Sequence, residues 1–152
     1  AWCASIRPST GAREADFGHA VLASMKLAWQ MTPEWFREQA MRRLGLSRWG
    51  NSVFAEHDLL ITPAVPFDPP PAKGPFPLET EGRAQLDWGV ASFTIPFNLS
   101  LHPAASLRVG LSQAGLPIGM QLVAERHRDE LVLQAAHAFE RERPWHPHWP
   151  VA

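Results

Sequence analysis

Proline dominates the middle of this chain, where seven of the fifteen residues from 63 to 77 are proline. Proline has a fixed φ angle and no backbone N–H, so this stretch cannot form a helix. It favours an extended, polyproline-like loop. Residues 58–63 form a short apolar run that ends in proline, which predicts a buried strand. Because apolar strands bracket the loop, a structured loop is favoured over a free ligand for a proline-binding groove.

The chain before this loop is predicted to be helical. Apolar residues recur at helical spacing over residues 13–30. Thr32 and Pro33 mark the start of a second helix, as the N-cap residue and the first helical position. We expect this helix to continue through Leu44, to be interrupted or to end at Gly45, and to be followed by a separate helical piece over residues 47–56.

The chain after the loop is predicted to supply strands. A short helix is expected over residues 84–92, and two strands over residues 104–109 and 118–123. Residues 129–143 have the pattern of an amphipathic helix, which Pro144 stops. At 152 residues the chain has the length of one domain and shows no internal repeat.

Composition excludes several classes of function. The formal net charge is −1, from 14 basic and 15 acidic residues, so the chain lacks the basic surface of a nucleic-acid-binding protein. The longest stretch without a charged residue contains prolines and polar residues, so no membrane partner is expected. The single cysteine, Cys3, excludes a disulfide framework. No signal-peptide pattern is visible, and we expect a cytoplasmic protein.

The sequence contains no complete set of catalytic residues. It has no Gly-x-Ser-x-Gly motif and no adjacent serines, and its only lysines are Lys26 and Lys73. A nucleophilic triad within this chain is therefore not expected. His146 and His148 form a His-x-His pair, which we interpret as part of an aromatic tail that packs on the domain. We predict no metal and no cofactor.

Five pieces of the second half carry a resemblance to a known family. They are Asp-Leu-Leu-Ile-Thr-Pro at 58–63, Phe-Thr-Ile-Pro-Phe-Asn-Leu-Ser at 93–100, Pro-Ala-Ala-Ser-Leu at 103–107, Gly-Leu-Pro-Ile-Gly-Met-Gln-Leu-Val at 115–123, and a final helix that ends in a Trp-containing tail before Pro150. In order and spacing they resemble the C-terminal portion of amidase signature enzymes, which are amide hydrolases and transamidases. The resemblance covers residues 57–150, and residues 1–56 fit the helical stretch that precedes it. It implies an α/β fold, with helices followed by strands of a mixed sheet and a final amphipathic helix.

The resemblance also implies that the catalytic machinery lies elsewhere. The family works through a Ser–cis-Ser–Lys triad in a glycine- and serine-rich signature upstream of this region, and none of that signature is present. No catalytic residue is therefore assigned, and we expect residues 1–152 to be a single partial domain, inactive alone. The implied partners are a small-molecule amide substrate and the remainder of the amidase domain, and a homodimer is left open.

Candidate pocket residues cluster beside the second segment. Trp88, Phe93 and Phe97 could line an apolar pocket, although an ordinary core role is the preferred interpretation. Asn98 is predicted to bond to nearby backbone and hold a turn. The pocket hypothesis therefore concerns Trp88, Phe93 and Phe97, and Asn98 is assigned a structural role.

Departures from the family pattern leave alternatives open. Leu101 and His102 stand where the family usually has glycine, and Arg108 stands where it usually has proline. One alternative is the A subunit of the glutamyl/aspartyl-tRNA amidotransferase, although Ala91 stands where this protein typically has an acidic residue. The other is a catalytically inactive, stand-alone interaction domain.

Overall fold

The computed structural model describes residues 17–85 and 89–144. The chain divides into two compact units, Ala1–Arg42 and Arg43–Ala152. The described part of the first unit contains helix α1 (His19–Trp29) and the start of helix α2 (Pro33–Phe54), and the last twelve residues of α2 belong to the second unit.

Helix α2 begins at the predicted residue but runs further than expected. The Trp35 backbone N–H donates to Thr32 Oγ1 at 3.2 Å, which satisfies one of the free donors of the first turn. The helix then continues through Gly45 to Phe54, so the predicted interruption and the separate helical piece are wrong. A glycine weakens a helix by only about 1 kcal/mol. Buried residues in the last two turns, among them Gly50 and Phe54, outweigh that penalty.

The second unit is built around a three-stranded sheet. Strands β1 (Leu59–Pro63), β4 (Ala104–Leu111) and β5 (Pro117–Ala124) pair in the order β1-β5-β4. All three predicted strands are present, and both pairings are antiparallel. The prediction that the first is buried is wrong, since every residue of β1 is partly or fully exposed. The family resemblance implies a mixed sheet, and the strands that the structure describes form an antiparallel portion.

Each face of the sheet carries its own core. On one face Val123 packs with Phe54 and Phe97. On the other face Leu122 and Ala124 pack with Val132 of helix α4 (Asp129–Glu142). Consecutive residues of a strand point to opposite faces, so the apolar run at the end of β5 serves both cores. This two-sided burial explains why the run shows no alternation with polar residues.

The stretch between β1 and β4 differs most from the sequence predictions. The proline-rich loop is free of helix, as predicted, and is followed by a hairpin of β2 (Glu79–Thr80) and β3 (Arg83–Ala84). The helix predicted over residues 84–92 is wrong at its start, because Ala84 belongs to strand β3. A single 3₁₀ turn spans Gly89–Ala91. Helix α3 (Ile95–Ser100), which the sequence analysis did not anticipate, follows with proline in its first turn, where proline is tolerated.

Candidate functional site

The predicted pocket residues lie on, or next to, one short segment, residues 89–100, called here the α3 segment. Trp88 lies outside the described residues. Phe93 is half-buried and immediately precedes α3. Phe97 is only 4% exposed and belongs to the core beside Phe54. Of the described candidates, Phe93 therefore has the exposure needed to contact a ligand, and its role in a pocket stays a prediction.

Asn98 lies in the middle of α3 and is exposed. Its backbone N–H donates to the Thr94 carbonyl at 3.3 Å, which is a helical hydrogen bond. The role predicted for the Asn98 side chain stays a prediction. The turn after α3 is closed by a backbone bond, in which the His102 N–H donates to the Phe97 carbonyl at 3.2 Å.

Two arginines bind the C-terminal end of α3. Arg43 Nε donates to the Leu99 carbonyl at 2.6 Å, and Arg126 Nε donates to the Ser100 carbonyl at 2.8 Å. The last carbonyls of a helix have no partner within the helix, and the C-terminal end attracts positive charge. Arg43 comes from α2 and Arg126 follows β5, so two distant parts of the chain fix this end of the α3 segment.

The other end of the α3 segment is held from the sheet. Gln121, in β5, is 2% exposed. Its Nε2 atom donates to the backbone carbonyl of Phe93 at 2.9 Å and to Thr62 Oγ1 at 3.0 Å. Thr62 lies directly opposite Gln121 in the pairing of β1 with β5. A glutamine within an apolar strand gives no local sign of its partners, so the role of Gln121 could not be predicted from the sequence.

A buried serine–histidine pair lies just beyond α3. Ser100 Oγ and His102 Nδ1 are 2.7 Å apart, and the two residues are 0% and 6% exposed. Leu101 between them has φ +63°, a left-handed conformation that ends the helix and brings the two side chains together. This conformation favours glycine, and the family usually has glycine at this step. In the sequence, the one signal that pointed to this pair was the departure from the family pattern at Leu101 and His102.

The surroundings of His102 favour the neutral form of its ring. Burial lowers the pKa of His102, and the nearby Arg126 charge lowers it further, while Glu125 acts in the opposite direction. Nε2 is buried and has no hydrogen-bond partner among the described residues. In the tautomer with the hydrogen on Nδ1, the ring donates to Ser100 Oγ, whose hydroxyl can donate to the Phe97 carbonyl at 3.5 Å. Protonating this tautomer would add a buried N–H group at Nε2 without an acceptor. The ring packs against α2 at Gly50, where a Cβ atom would lie 3.0 Å from Nε2.

The Ser100–His102 pair cannot act as a nucleophile and base, because solvent and substrate do not reach Ser100. Lys26 in α1 and Lys73 in the proline-rich loop are both exposed. A desolvated lysine of the kind that serves as a catalytic base is therefore not found among the described residues. What the structure shows of the α3 segment is that side chains from α2, from β5 and from the residues after β5 hold it by hydrogen bonds.

Two clefts lie at the end of the sheet where β5 begins. The larger, about 490 Å³, opens between the sheet and the C-terminal end of α4, and the smaller, about 210 Å³, borders the proline-rich loop. The larger is lined by Ile61, Thr62, Pro63, Val109, Ile118, Gly119, Met120, Phe139 and Arg143. Phe93 and Phe97 line neither cleft.

Residues 17–85 and 89–144 contain neither a membrane span nor a metal-binding cluster. None of the helices there combines the length and the apolar character needed to cross a membrane. No group of three or more histidine, cysteine, aspartate or glutamate side chains there is placed to hold a metal ion. His146 and His148 lie outside these residues.

Comparison with solved structures defines the class of fold. A bacterial aryl acylamidase of the amidase signature enzyme family superposes with a TM-score of 0.73 at 27% sequence identity. The superposition covers 89% of this chain and 28% of the acylamidase chain. The two cores and the antiparallel strands described above are therefore part of the amidase signature fold.

Sequence comparison gives the family. The Amidase family model matches residues 7–133, and the chain belongs to the amidase family. The 6-aminohexanoate-cyclic-dimer hydrolase of Paenarthrobacter ureafaciens is 39% identical over 110 residues, which are 66% of this chain and 21% of that protein. The A subunit of the glutamyl-tRNA(Gln) amidotransferase of Geotalea daltonii is 40% identical over 95 residues, 62% of this chain and 18% of that protein. The matches thus span about a fifth of each relative's length.

Proposed function

We propose that this chain is the C-terminal part of an amidase signature hydrolase, in which it completes the central sheet and forms one wall of the pocket for the acyl side of an amide substrate. The family match over residues 7–133 carries the proposal. By resemblance, a Ser–cis-Ser–Lys triad outside these residues cleaves the carbon–nitrogen bond. The chain alone would then hydrolyse no amide.

The exposed apolar surface of the sheet supports the proposal. Ile61, Leu111 and Ile118 are 62%, 53% and 40% exposed, and all three lie in strands. In the order β1-β5-β4 the outer edges of β1 and β4 have no strand partner among the described residues. Open strand edges beside apolar side chains are usual where further structure packs and rare on the surface of a monomer. The remainder of an amidase domain would cover both.

A hybrid enzyme tests the proposal. In the 6-aminohexanoate-cyclic-dimer hydrolase of Paenarthrobacter ureafaciens, the stretch that matches this chain is replaced by the chain itself. We expect the hybrid to hydrolyse amides, because the upstream part of the hydrolase supplies the machinery and this chain supplies the sheet and wall. A folded hybrid with no amide hydrolysis, beside an active parent, would contradict the proposal.

The transamidase is the second candidate, favoured by the 40% identity to the Geotalea daltonii protein. The two candidates differ in the nitrogen source, since a transamidase draws ammonia from glutamine. A glutaminase assay on the intact enzyme that contains this chain, with short-chain amides as competitors, separates them. We expect short-chain amides to be hydrolysed and glutamine to be a poor substrate.

A stand-alone interaction domain would behave differently in solution. If residues 1–152 purify as a monodisperse protein with a cooperative thermal transition, the chain is stable without an upstream part, and that result would favour the interaction domain. Under the amidase proposal we expect aggregation, because the open strand edges and exposed apolar side chains would associate.

A further inference from the structure

A glutamine lies where the sheet core is otherwise apolar. Gln121 is 2% exposed, and the residues that follow it in β5, Leu122 and Val123, each belong to one of the two cores. Burying an amide without partners is strongly unfavourable, and an apolar side chain of the same size would fill this space. The presence of glutamine is therefore explained by the two hydrogen bonds that its amide group makes.

Those hydrogen bonds form a directed chain. Thr62 Oγ1 donates to the Pro63 carbonyl at 2.9 Å, so its hydrogen is engaged and its lone pairs can accept. The amide group of Gln121 has two hydrogens, and its Nε2 donates to Thr62 Oγ1 and to the Phe93 carbonyl. Each group therefore has one defined role, and the Phe93 carbonyl is fixed relative to β1 and β5.

The position of Phe93, just before α3, depends on the hydrogen bond from Gln121 more than the position of the C-terminal end of α3 does. Arg43 and Arg126 bind the carbonyls of Leu99 and Ser100 at the end of α3. Phe97, in the middle, is fixed by its place in the core. The carbonyl of Phe93 precedes α3, and its bond to Gln121 ties that end to the sheet.

We propose that Gln121 is a positioning residue for substrate binding: its amide holds the Phe93 carbonyl and thereby fixes the Phe93 side chain in the wall of the amide pocket. This inference rests on the proposed function, since it assumes that Phe93 faces substrate. Gln121 itself does not touch substrate. Its effect on substrate binding passes through the backbone of Phe93.

The test compares Gln121→Met with a chemically matched control in the hybrid enzyme. Methionine keeps the volume of glutamine and removes both donors. Gln134, an exposed glutamine of α4, provides the control variant Gln134→Met. The first measurement is hydrogen exchange at the backbone amides of Ser92 and Thr94, which donate to the Gly89 and Ala91 carbonyls. The second is the separate determination of kcat and KM of the hybrid for the 6-aminohexanoate cyclic dimer, the substrate after which the Paenarthrobacter ureafaciens hydrolase is named.

We expect exchange at these two amides to become roughly 5-fold faster in Gln121→Met, the change that matches the loss of one hydrogen bond. KM should rise by a similar factor while kcat changes little, since a misplaced wall weakens ground state and transition state alike. Gln121→Glu should raise KM further, because an ionised carboxylate can only accept hydrogen bonds and would face the Phe93 carbonyl. Gln134→Met should change neither exchange nor KM.

Two results would overturn the proposal. Unchanged exchange in Gln121→Met would show that Gln121 does not hold the segment. Faster exchange with an unchanged KM would show that Gln121 is structural only, while the amidase activity of the hybrid stands. A parent hybrid without any amidase activity would refute the proposed function instead, and the exchange measurement would still decide whether Gln121 holds the Phe93 end.

Discussion

Two glycines in one helix allow a sharp test of how α2 packs. Gly45 is exposed, and a Cβ atom added there would have no other atom within 4 Å. Gly50 is buried, and a Cβ atom added there would lie 3.0 Å from His102 Nε2, 3.2 Å from Nδ1, and closer still to Cε1. Replacement by alanine changes the helix propensity equally at both positions, so the two variants differ only in what the new methyl group meets.

The magnitudes follow from this geometry. Gly45→Ala should stabilise the protein by about 1 kcal/mol, the propensity difference between glycine and alanine. Gly50→Ala gains the same amount but overpacks the His102 ring, which typically costs about 1–3 kcal/mol. The ring cannot easily move away, because Ser100 holds Nδ1 at 2.7 Å and both residues are buried. The two alanine variants should therefore differ in stability by about 1–3 kcal/mol.

Urea unfolding of the hybrid enzyme, followed by tryptophan fluorescence, measures the difference. The expected order of the midpoints is Gly45→Ala above the parent, and Gly50→Ala below or equal to it. The His102→Ala background is the control: without the ring, Gly50→Ala should be as favourable as Gly45→Ala. If Gly50→Ala already stabilises the protein as much as Gly45→Ala in the parent, the packing of His102 on α2 is not as described.

Two further predictions concern the same corner of the fold. The pKa of His102 is lowered by burial and by Arg126, against Glu125, so the unfolded chain takes up the proton more readily. Stability should therefore be full above about pH 6.5 and fall as the pH drops from there toward the lowered pKa, and His102→Gln should remove this part of the pH dependence of unfolding. Leu101→Gly should be about 1 kcal/mol more stable than Leu101→Ala, because only glycine adopts the left-handed conformation without strain. Equal midpoints for the two Leu101 variants would refute this.

The sequence predicted those elements whose cause is local. The three strands of the sheet and α4 were identified because apolar runs and amphipathic spacing lie within the segment itself. The start of α2 at Pro33 was predicted for the same reason, because the capping residue Thr32 lies only three residues from Trp35, whose N–H it binds. The end of α2 was not predicted, because continuation of the helix through Gly45 depends on buried contacts made nine residues later by Phe54.

The candidate site was predicted less well, because its geometry depends on residues far apart in the sequence. Phe93 and Phe97 were identified, and only the fold could show that Phe97 is core while Phe93 is half-exposed. Gln121 lies 28 residues from the carbonyl that it binds, and Arg43 lies 56 residues from its own partner. Periodicity and motif spacing carry no information about such pairs.

These long-range contacts also explain how a helix of six residues can be stable. Isolated helices of this length do not form in water, since nucleation is not recovered in so few turns. Helix α3 is instead held by contacts with the rest of the fold. Gln121 donates to the Phe93 carbonyl before its first turn, and Arg43 and Arg126 donate to its last carbonyls. On its buried side, Phe97 packs in the core. The donors come from α2, from β5 and from the residues after β5, so the position of α3 depends on all three parts. A segment held in this way is positioned by several parts of the second unit, and a change in any one donor should alter its position before it alters the rest of the fold.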